Sequence, residues 1–240
     1  MVPGIDGTGQ LFYRQIPALE RRFAVSTTPL RDDRRTMAEL VDDLDRHIAA
    51  VAGPETQVTL FGESFGGALV LSYALAHPDR VARLVVLNSF AHFDSAARLW
   101  LGHQLLRVTP WRLVGVFRRL NASRMHSANT EREEIRHYLD LMRSATREGY
   151  MARMQILRSY DVRPQLPSLR APVLFLAADR DTLVPAIDQA KLMSGLTPAG
   201  SMRVLEGHGH SCMIAPDLDL ATILDEWLAK SSLGGGRTHR

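Results

Sequence analysis

The stretch that most constrains this chain is Leu60 to Gly67, which reads Leu-Phe-Gly-Glu-Ser-Phe-Gly-Gly. A short β-branched run precedes it and an apolar run follows it, so a Gly-x-Ser-x-Gly pattern lies between a predicted strand and a predicted helix. A serine on such a tight turn has a strained backbone, and bulky residues two positions away would clash with it. Gly62 and Gly66 remove those clashes, and the following helix would direct its first amides at negative charge beside Ser64. In this context the pattern favours a nucleophilic serine over a glycine-rich turn that is merely capped by serine.

The composition limits the class of protein. The chain has 240 residues, 45% of them hydrophobic, which suits one large α/β domain or two small ones. A net charge of only +3 argues against a general nucleic-acid binder, so no nucleic-acid partner is expected. The single cysteine, Cys212, excludes an internal disulfide and a cysteine-based zinc site. Because no apolar run reaches the ~20 residues that span a bilayer and no signal peptide is visible, we expect a cytoplasmic protein.

Strand and helix patterns alternate in the two outer parts of the chain. Strands are predicted at 23–28, 57–61, 81–87, 173–177 and 202–205, and helices at 10–22, from Thr36 to Gly53, and at 65–76, 185–196 and 216–230. Nearly continuous apolar strands such as the run 84–87 are typical of strands buried on both faces. The alternation therefore predicts an α/β fold with a mostly parallel sheet covered by helices on both faces.

The alternation stops at Asn88, and residues 91–170 contain helical patterns only. We interpret this block as an all-helical cap inserted into an α/β core formed by 1–90 and 171–230, and we expect 231–240 to be a disordered tail. Ligands of such sheets bind outside the carboxyl ends of the strands, and the insertion leaves the sheet at that end.

Two later strands are followed by residues that could activate Ser64, since a serine hydroxyl needs a base and an orienting acid. Asp179 and Asp181 follow one strand, and His208 and His210 follow the next. The order Ser, Asp, His is the one expected when acid and base lie on successive loops of this sheet. The His-x-His pair could instead hold a metal, but it lacks a third nearby histidine or cysteine, so no metal site is expected.

These motifs resemble those of the α/β-hydrolases over residues 1 to about 229. The stretch 62–67 is similar to the family's nucleophile elbow. Asp181 stands where the family's Asp-x-x-Val-Pro places its acid, and His210 stands where its Gly-His-Ser places its base. The resemblance implies a serine hydrolase that cleaves small acyl esters through Ser64, His210 and Asp181.

The opening segment 3–9, Pro-Gly-Ile-Asp-Gly-Thr-Gly, is similar to the oxyanion loop of one α/β-hydrolase subgroup. That subgroup includes bacterial lipase- and esterase-like hydrolases and the hydrolase-like part of plant phytyl ester synthases. Phe65 N–H is expected to be one oxyanion donor and Ile5 N–H the other, with Asp6 N–H as the alternative. No Gly-Lys-Ser/Thr follows the loop and no dinucleotide fingerprint is present, so no cofactor is expected. Glu63 is expected to point away from the site into solvent.

The family normally has two or three strands before this loop, so the N-terminal strands are expected to be missing or shortened here. A missing strand would expose backbone groups at the sheet edge. This leaves two hypotheses open beside an active enzyme: a homodimer formed through the edge, and a truncated, inactive hydrolase-like protein that only binds.

The predicted cap is rich in arginine, with fourteen arginines, no lysine and seven acidic residues in 91–170. One interpretation is that its apolar residues pack on the substrate cleft while its arginines are solvated. The others are that the arginines bind an acyl carrier or phospholipid headgroups, or that the Trp-rich segment contacts a lipid surface. Thioesterase or acyltransferase activity on acyl carriers is therefore an alternative to ester hydrolysis.

Overall fold

A computed structural model describes residues 1–93 and 96–234, except for the side chains at 96–99, 117–118, 121–123 and 231–234. At its centre is a four-stranded parallel sheet, whose strands in spatial order are β1 (Val58–Glu63), β2 (Val81–Leu87), β3 (Val173–Ala178) and β4 (Gly200–Leu205). The register places Glu63 beside Leu87 and Ala178 beside Leu205, so the carboxyl ends of the strands meet at one edge. The predicted α/β class and parallel sheet are confirmed.

Helices cover both faces of this sheet. In chain order, all α-helices of the described residues are α1 (Ile16–Leu19), α2 (Met37–Ala52), α3 (Phe65–Ala76), α4 (Ala96–Val108), α5 (Trp111–Met125), α6 (Arg132–Leu141), α7 (Arg147–Leu157), α8 (Ala186–Leu196) and α9 (Leu220–Gly234), of which α4 to α7 belong to the inserted block. The start of α2 shows why the sequence forms a helix there. The Thr36 hydroxyl accepts a hydrogen bond from Glu39 N–H, and the Glu39 carboxylate accepts one from Thr36 N–H, which forms the predicted capping box. No helix within the described residues combines the length and the apolar character needed to cross a bilayer.

The core lies in two layers, one on each face of the sheet. Leu84 and Val86 of β2 pack into the layer that contains α2, α3 and α8, whereas Val85 and Leu87 pack into the layer that contains α9. Successive side chains of a strand point to opposite faces, so a fully apolar strand supplies both layers. This explains the continuous apolar runs of β3 and of residues 84–87 in β2, whereas β4 at the edge of the sheet is mostly exposed or half-buried.

The region 10–28 differs from the prediction. The predicted helix 10–22 is instead a 3-10 turn at Gln10–Phe12 followed by the four-residue α1. Between them the amide side chain of Gln15 is buried, donates to the carbonyls of Met213 and Leu218, and accepts from Leu220 N–H. These bonds hold the chain in a bent path. The predicted strand at 23–28 is likewise not assigned as a strand.

Residues 1–2 provide a short parallel pairing at the outer edge of β1. Val2 N–H donates to Phe61 O at 2.8 Å, and Glu63 N–H donates to Val2 O at 3.3 Å. On the far side Thr28 N–H donates to Met1 O at 3.0 Å. The backbone groups of Phe61 and Glu63, which were expected to be exposed at this edge, are therefore hydrogen-bonded to Val2.

Helices α4 to α7 occupy the chain between β2 and β3, with α4 packed on α7 and α5 on α6. They coincide with the block predicted as a cap, and its division from the core remains a prediction. The C-terminal prediction needs correction: α9 begins at Leu220 rather than 216 and extends through 231–234, which were expected to be disordered. No proline or glycine, the residues that commonly end a helix, follows Leu220 before Gly234. The remainder of the predicted tail, 235–240, lies outside the described residues.

Candidate active site

The turn between β1 and α3 holds Ser64 in a backbone conformation that is rare for a residue with a side chain, with φ 53° and ψ −118°. A Cβ at Gly62 would lie 2.3 Å from Gly66 O, and one at Gly66 would lie 2.2 Å from Val2 O, so larger residues cannot replace either glycine. The Ser64 hydroxyl makes no capping bond to α3. The serine is therefore not a helix cap, and its hydroxyl is available to other groups.

The structure brings Ser64, His210 and Asp181 into one hydrogen-bonded line. His210 Nε2 lies 3.1 Å from Ser64 Oγ, and His210 Nδ1 lies 2.7 Å from Asp181 Oδ2. The other carboxylate oxygen, Asp181 Oδ1, accepts the N–H groups of Leu183 and Val184 at 2.8 and 3.0 Å. A proton on Nδ1 would be donated to Asp181, which leaves Nε2 to accept the Ser64 hydroxyl.

The two rival residues lie elsewhere. Asp179 is exposed, and its backbone N–H donates to Leu205 O next to the end of β4. His208 Nδ1 bonds the hydroxyl of Ser127 at 2.7 Å. Asp181 rather than Asp179, and His210 rather than His208, are therefore the residues hydrogen-bonded in line with Ser64.

The surroundings of His210 set its proton affinity. Burial disfavours the charged ring, but the hydrogen bond and negative charge of Asp181, together with Glu63, outweigh burial and raise the pKa of His210 above its usual value. An imidazole whose cation is stabilised in this way can accept a proton from a hydroxyl during a reaction.

The loop at 4–7 lies directly against Ser64. A Cβ at Gly4 would be 3.4 Å from Ser64 Cβ, and Gly7 N–H closes a turn on Gly4 O at 3.0 Å. No hydrogen-bond acceptor is found within the described residues for the N–H groups of Ile5, Asp6 and Phe65. The predicted donors Ile5 and Phe65, and the alternative Asp6, are therefore all free to receive a ligand oxygen.

An arginine of α7, Arg153, fixes this loop although no sequence pattern pointed to it. Its side chain is 1% exposed; Nε donates to Ile5 O at 2.8 Å and Nη2 to Asp6 O at 3.2 Å. Nη1 pairs with Asp32 Oδ1 at 3.0 Å. Because the peptide between residues 5 and 6 is trans, an Ile5 carbonyl held towards Arg153 directs Asp6 N–H the opposite way. A Cβ on Gly7 would come within 2.7 Å of the guanidinium, so glycine is needed there.

The prediction that Glu63 points into solvent is wrong. Glu63 is the last residue of β1 and is 7% exposed, and its backbone N–H donates to Val2 O. No hydrogen bond to its carboxyl is found among the described residues. Burial, reinforced by the negative charges of Asp6 and Asp181, raises the pKa of Glu63 to about 7, although His210 opposes the change. A carboxyl group that titrates near neutrality therefore lies beside Ser64.

Asn88, directly after β2, connects the loops that follow the strands. It is fully buried, with a φ of 47° in the left-handed region that asparagine tolerates better than most residues. Its Nδ2 donates to His210 O at 2.9 Å, and its Oδ1 accepts Ala178 N–H at 2.8 Å. In the sequence, its position directly after a predicted strand was the one indication of a functional role for Asn88. Its hydrogen-bond partners are distant in the sequence, so only the fold identifies them.

Within the described part of the chain, no three His, Cys, Asp or Glu side chains converge in a way that could hold a metal ion. Cys212 is buried, its thiol pKa is raised by burial, and its sulfur lies 3.6 Å from Asn88 Nδ2. It does not contact Ser64 or His210 through any hydrogen bond in the described residues.

Comparison with known proteins agrees with this architecture. The model of the serine aminopeptidase family S33 matches residues 26–217. A Caulobacter vibrioides protein named "Putative carbamate hydrolase RutD" is 30% identical over 225 residues, which cover 86% of this chain and 81% of that protein. Phytyl ester synthase 1 of Arabidopsis thaliana is 25% identical over 251 residues, which cover 93% of this chain but only 36% of the synthase.

Solved structures show the same fold at lower identity. A thermophilic esterase from Thermogutta terrifontis superimposes with a TM-score of 0.80 at 22% identity, covering 95% of this chain and 88% of the esterase. MenH from S. aureus also gives 0.80, at 19% identity, with 96% and 92% covered. These likenesses establish the arrangement of the sheet and helices.

Proposed function

The chain belongs to the serine aminopeptidase S33 family of α/β-hydrolases, and on that premise we propose that this hydrolase cleaves carboxylic esters through Ser64, His210 and Asp181. The observation that carries the proposal is a line of two hydrogen bonds: 3.1 Å from Ser64 to His210 and 2.7 Å from His210 to Asp181. Ser64 has a strained backbone and does not cap α3, and the Asp181 carboxylate is buried. The esterase among the structural neighbours supports the fold, and an ester is one of the acyl substrates that such a relay can cleave.

In the first half-reaction, Ser64 Oγ forms a bond to the acyl carbon while its proton moves to His210 Nε2. Asp181 stabilises the resulting imidazolium, and the carbonyl oxygen, now negative, is received by Phe65 N–H together with Ile5 or Asp6 N–H. The bond to the leaving alcohol then breaks as His210 returns the proton to the alkoxide oxygen.

In the second half-reaction, water attacks the acyl-Ser64 ester and gives its proton to His210. The bond between the acyl carbon and Ser64 Oγ breaks, Ser64 recovers a proton from His210, and the carboxylic acid leaves. An alcohol in place of water would give acyl transfer by the same steps, and a thiol leaving group would make the reaction thioester hydrolysis.

Replacing the serine tests this proposal directly. We expect Ser64→Ala to lower kcat/KM for a p-nitrophenyl ester by about 10³-fold or more, because the nucleophile is lost while the binding surface remains. Ser194→Ala is the matched control, since the hydroxyl of this half-buried serine bonds only the Lys191 carbonyl of its own helix. Undiminished turnover by Ser64→Ala would remove the mechanism, and a folded wild type without turnover would favour the binding-only hypothesis.

A carbamate is the second candidate substrate, favoured by the 30% identical relative that bears that name. Its carbonyl carbon would be attacked in the same way, so the relay does not distinguish it from an ester. Parallel assays with p-nitrophenyl esters of increasing chain length, a p-nitrophenyl carbamate and an acyl-CoA rank the substrate classes by kcat/KM.

A further inference from the structure

The consecutive helices α4 and α5 expose an unusually large number of apolar side chains, and we call this set of side chains the α4–α5 face. It consists of seven side chains that are between 47% and 76% exposed: Trp100, Leu101, Leu105, Val108, Leu113, Val116 and Leu120. Among the described residues only three other large hydrophobic side chains are exposed, and they are scattered over the rest of the chain. Single exposed apolar residues are ordinary, whereas we interpret seven of them concentrated on two consecutive helices as a binding surface.

The apolar side chains form a stripe on each helix. On α4, Leu101, Leu105 and Val108 are spaced at i, i+4 and i+7; on α5, Leu113, Val116 and Leu120 are spaced at i, i+3 and i+7. Such spacing places side chains on one side of a helix. Of the apolar residues for which packing on the cleft is one interpretation, Trp100, Leu101, Leu105 and Leu120 are at least 47% exposed and are therefore not packed into the core.

The same helices carry only positive charge. Residues 96–125 contain six arginines and no aspartate or glutamate. Four of these arginines, Arg107, Arg112, Arg119 and Arg124, are exposed, and no ion pair joins any of them to another described residue. The surface therefore combines large apolar groups with cations that lack an anionic partner within the described chain.

We propose that the α4–α5 face docks on an anionic lipid surface. The apolar side chains would enter the boundary between headgroups and acyl chains, and the guanidinium groups would pair with lipid phosphates. A second copy of this chain fits less well, because two like faces would bring arginines against arginines. An acidic protein would match the charge but would leave the large apolar side chains against a polar surface.

One of the two docked helices would be attached to the candidate active site. The carbonyl of Met125, the last residue of α5, accepts Ser211 N–H at 2.9 Å, and Ala128 N–H donates to Gly207 O at 3.2 Å. These bonds attach the C-terminal end of α5 to the loop that carries His210. Delivery of lipid esters to Ser64 would rest on the proposed function, whereas docking itself does not.

Vesicle co-sedimentation of the full chain tests the proposal without any activity measurement. The probes are vesicles of phosphatidylcholine alone and of phosphatidylcholine mixed with phosphatidylglycerol. We expect binding to the anionic vesicles that weakens as salt is raised from low concentration to about 0.15 M, and much weaker binding to the neutral ones. Failure to bind anionic vesicles at low salt, or equal binding to both lipids, would overturn the proposal.

Matched variants locate the surface. Val116→Glu on α5 should weaken vesicle binding about tenfold or more, because it replaces an inserted apolar group with a repelled anion. Val51→Glu is the control, since Val51 is a similarly exposed valine on α2.

Arg112→Gln combined with Arg119→Gln should weaken binding to anionic vesicles about thirtyfold and flatten its salt dependence. Circular dichroism verifies folding, and Val108→Glu serves if Val116→Glu does not fold.

Two results would reassign the surface. Self-association that Val116→Glu abolishes, in a protein that ignores vesicles, would make the face a contact between copies. Equal vesicle binding by Val116→Glu, Val51→Glu and wild type would place any lipid contact elsewhere on the chain.

Discussion

At the scale of single residues, Glu63 is the least expected feature of the site. A carboxyl group in a buried position is easier to keep neutral than charged, which is why its pKa is raised to about 7. In the unfolded chain the same group titrates near 4.5. Below pH 4.5 both states hold the proton, whereas between pH 4.5 and 7 only the folded state holds it. The contribution of Glu63 to stability is therefore fully present below pH 4.5 and is lost as pH rises through 7.

Glu63→Gln should remove this pH dependence while keeping the shape of the side chain. We expect the unfolding free energy of wild type, relative to Glu63→Gln, to fall by about 3 kcal/mol between pH 4.5 and pH 8. Urea unfolding of both proteins across this range measures the difference. Glu55→Gln is the control, because Glu55 is exposed. A difference between wild type and Glu63→Gln that stays constant across the range would show that Glu63 is ionised throughout.

At the scale of elements, α7 is the helix that connects the inserted block to the loop beside Ser64. The connection is made by Arg153, whose buried side chain donates hydrogen bonds to two loop carbonyls and to the carboxylate of Asp32. A buried guanidinium is costly unless all its donors are used, and here three of its nitrogens donate. The arrangement therefore fixes the peptide planes of the loop.

Arg153→Met should lower kcat by about tenfold to a hundredfold with a smaller change in KM, because loop N–H groups would no longer be held for the oxyanion. Steady-state kinetics on a p-nitrophenyl ester, at a temperature where the variant is folded, measures the effect. Arg153→Lys should recover part of the loss.

Arg147→Met is the matched control for this prediction. Arg147 lies on the same helix and donates to carbonyls at Leu106 and Arg107 rather than to the loop. It should lower stability and leave kcat nearly unchanged. A folded Arg153→Met with wild-type kcat would show that the loop is positioned without the arginine.

At the scale of the whole molecule, the parts that could be predicted are those encoded locally. The bounds of β2 follow from its largely apolar sequence, and those of α3 follow from the Gly-x-Ser-x-Gly turn at its start and from His77-Pro78 at its end. The structure has both elements at the predicted bounds. The bent segment around Gln15 could not be predicted, because its hydrogen-bond partners lie about two hundred residues away. The roles of Arg153 and Glu63 could not be predicted either. Charged residues are usually exposed, and only the packed fold shows that these two are buried.

The charge is also distributed unevenly over the whole molecule. The excess of seven positive charges in 91–170 is larger than the +3 of the complete chain, so the remainder of the chain is net negative. The positive excess lies in the segment that includes the α4–α5 face. This unevenness could be counted in the sequence, but the exposure of the apolar stripes beside the arginines required the structure.

The central claim is that folding brings residues 64, 181 and 210 together and so makes one serine reactive. Labelling with a fluorophosphonate, read by mass spectrometry of the intact chain and of its peptides, tests this most directly. We predict one adduct per folded chain, on Ser64, and none on the chain unfolded in urea or on folded His210→Ala. A folded wild-type chain that stays unlabelled, or that carries its adduct on another residue, would contradict the account.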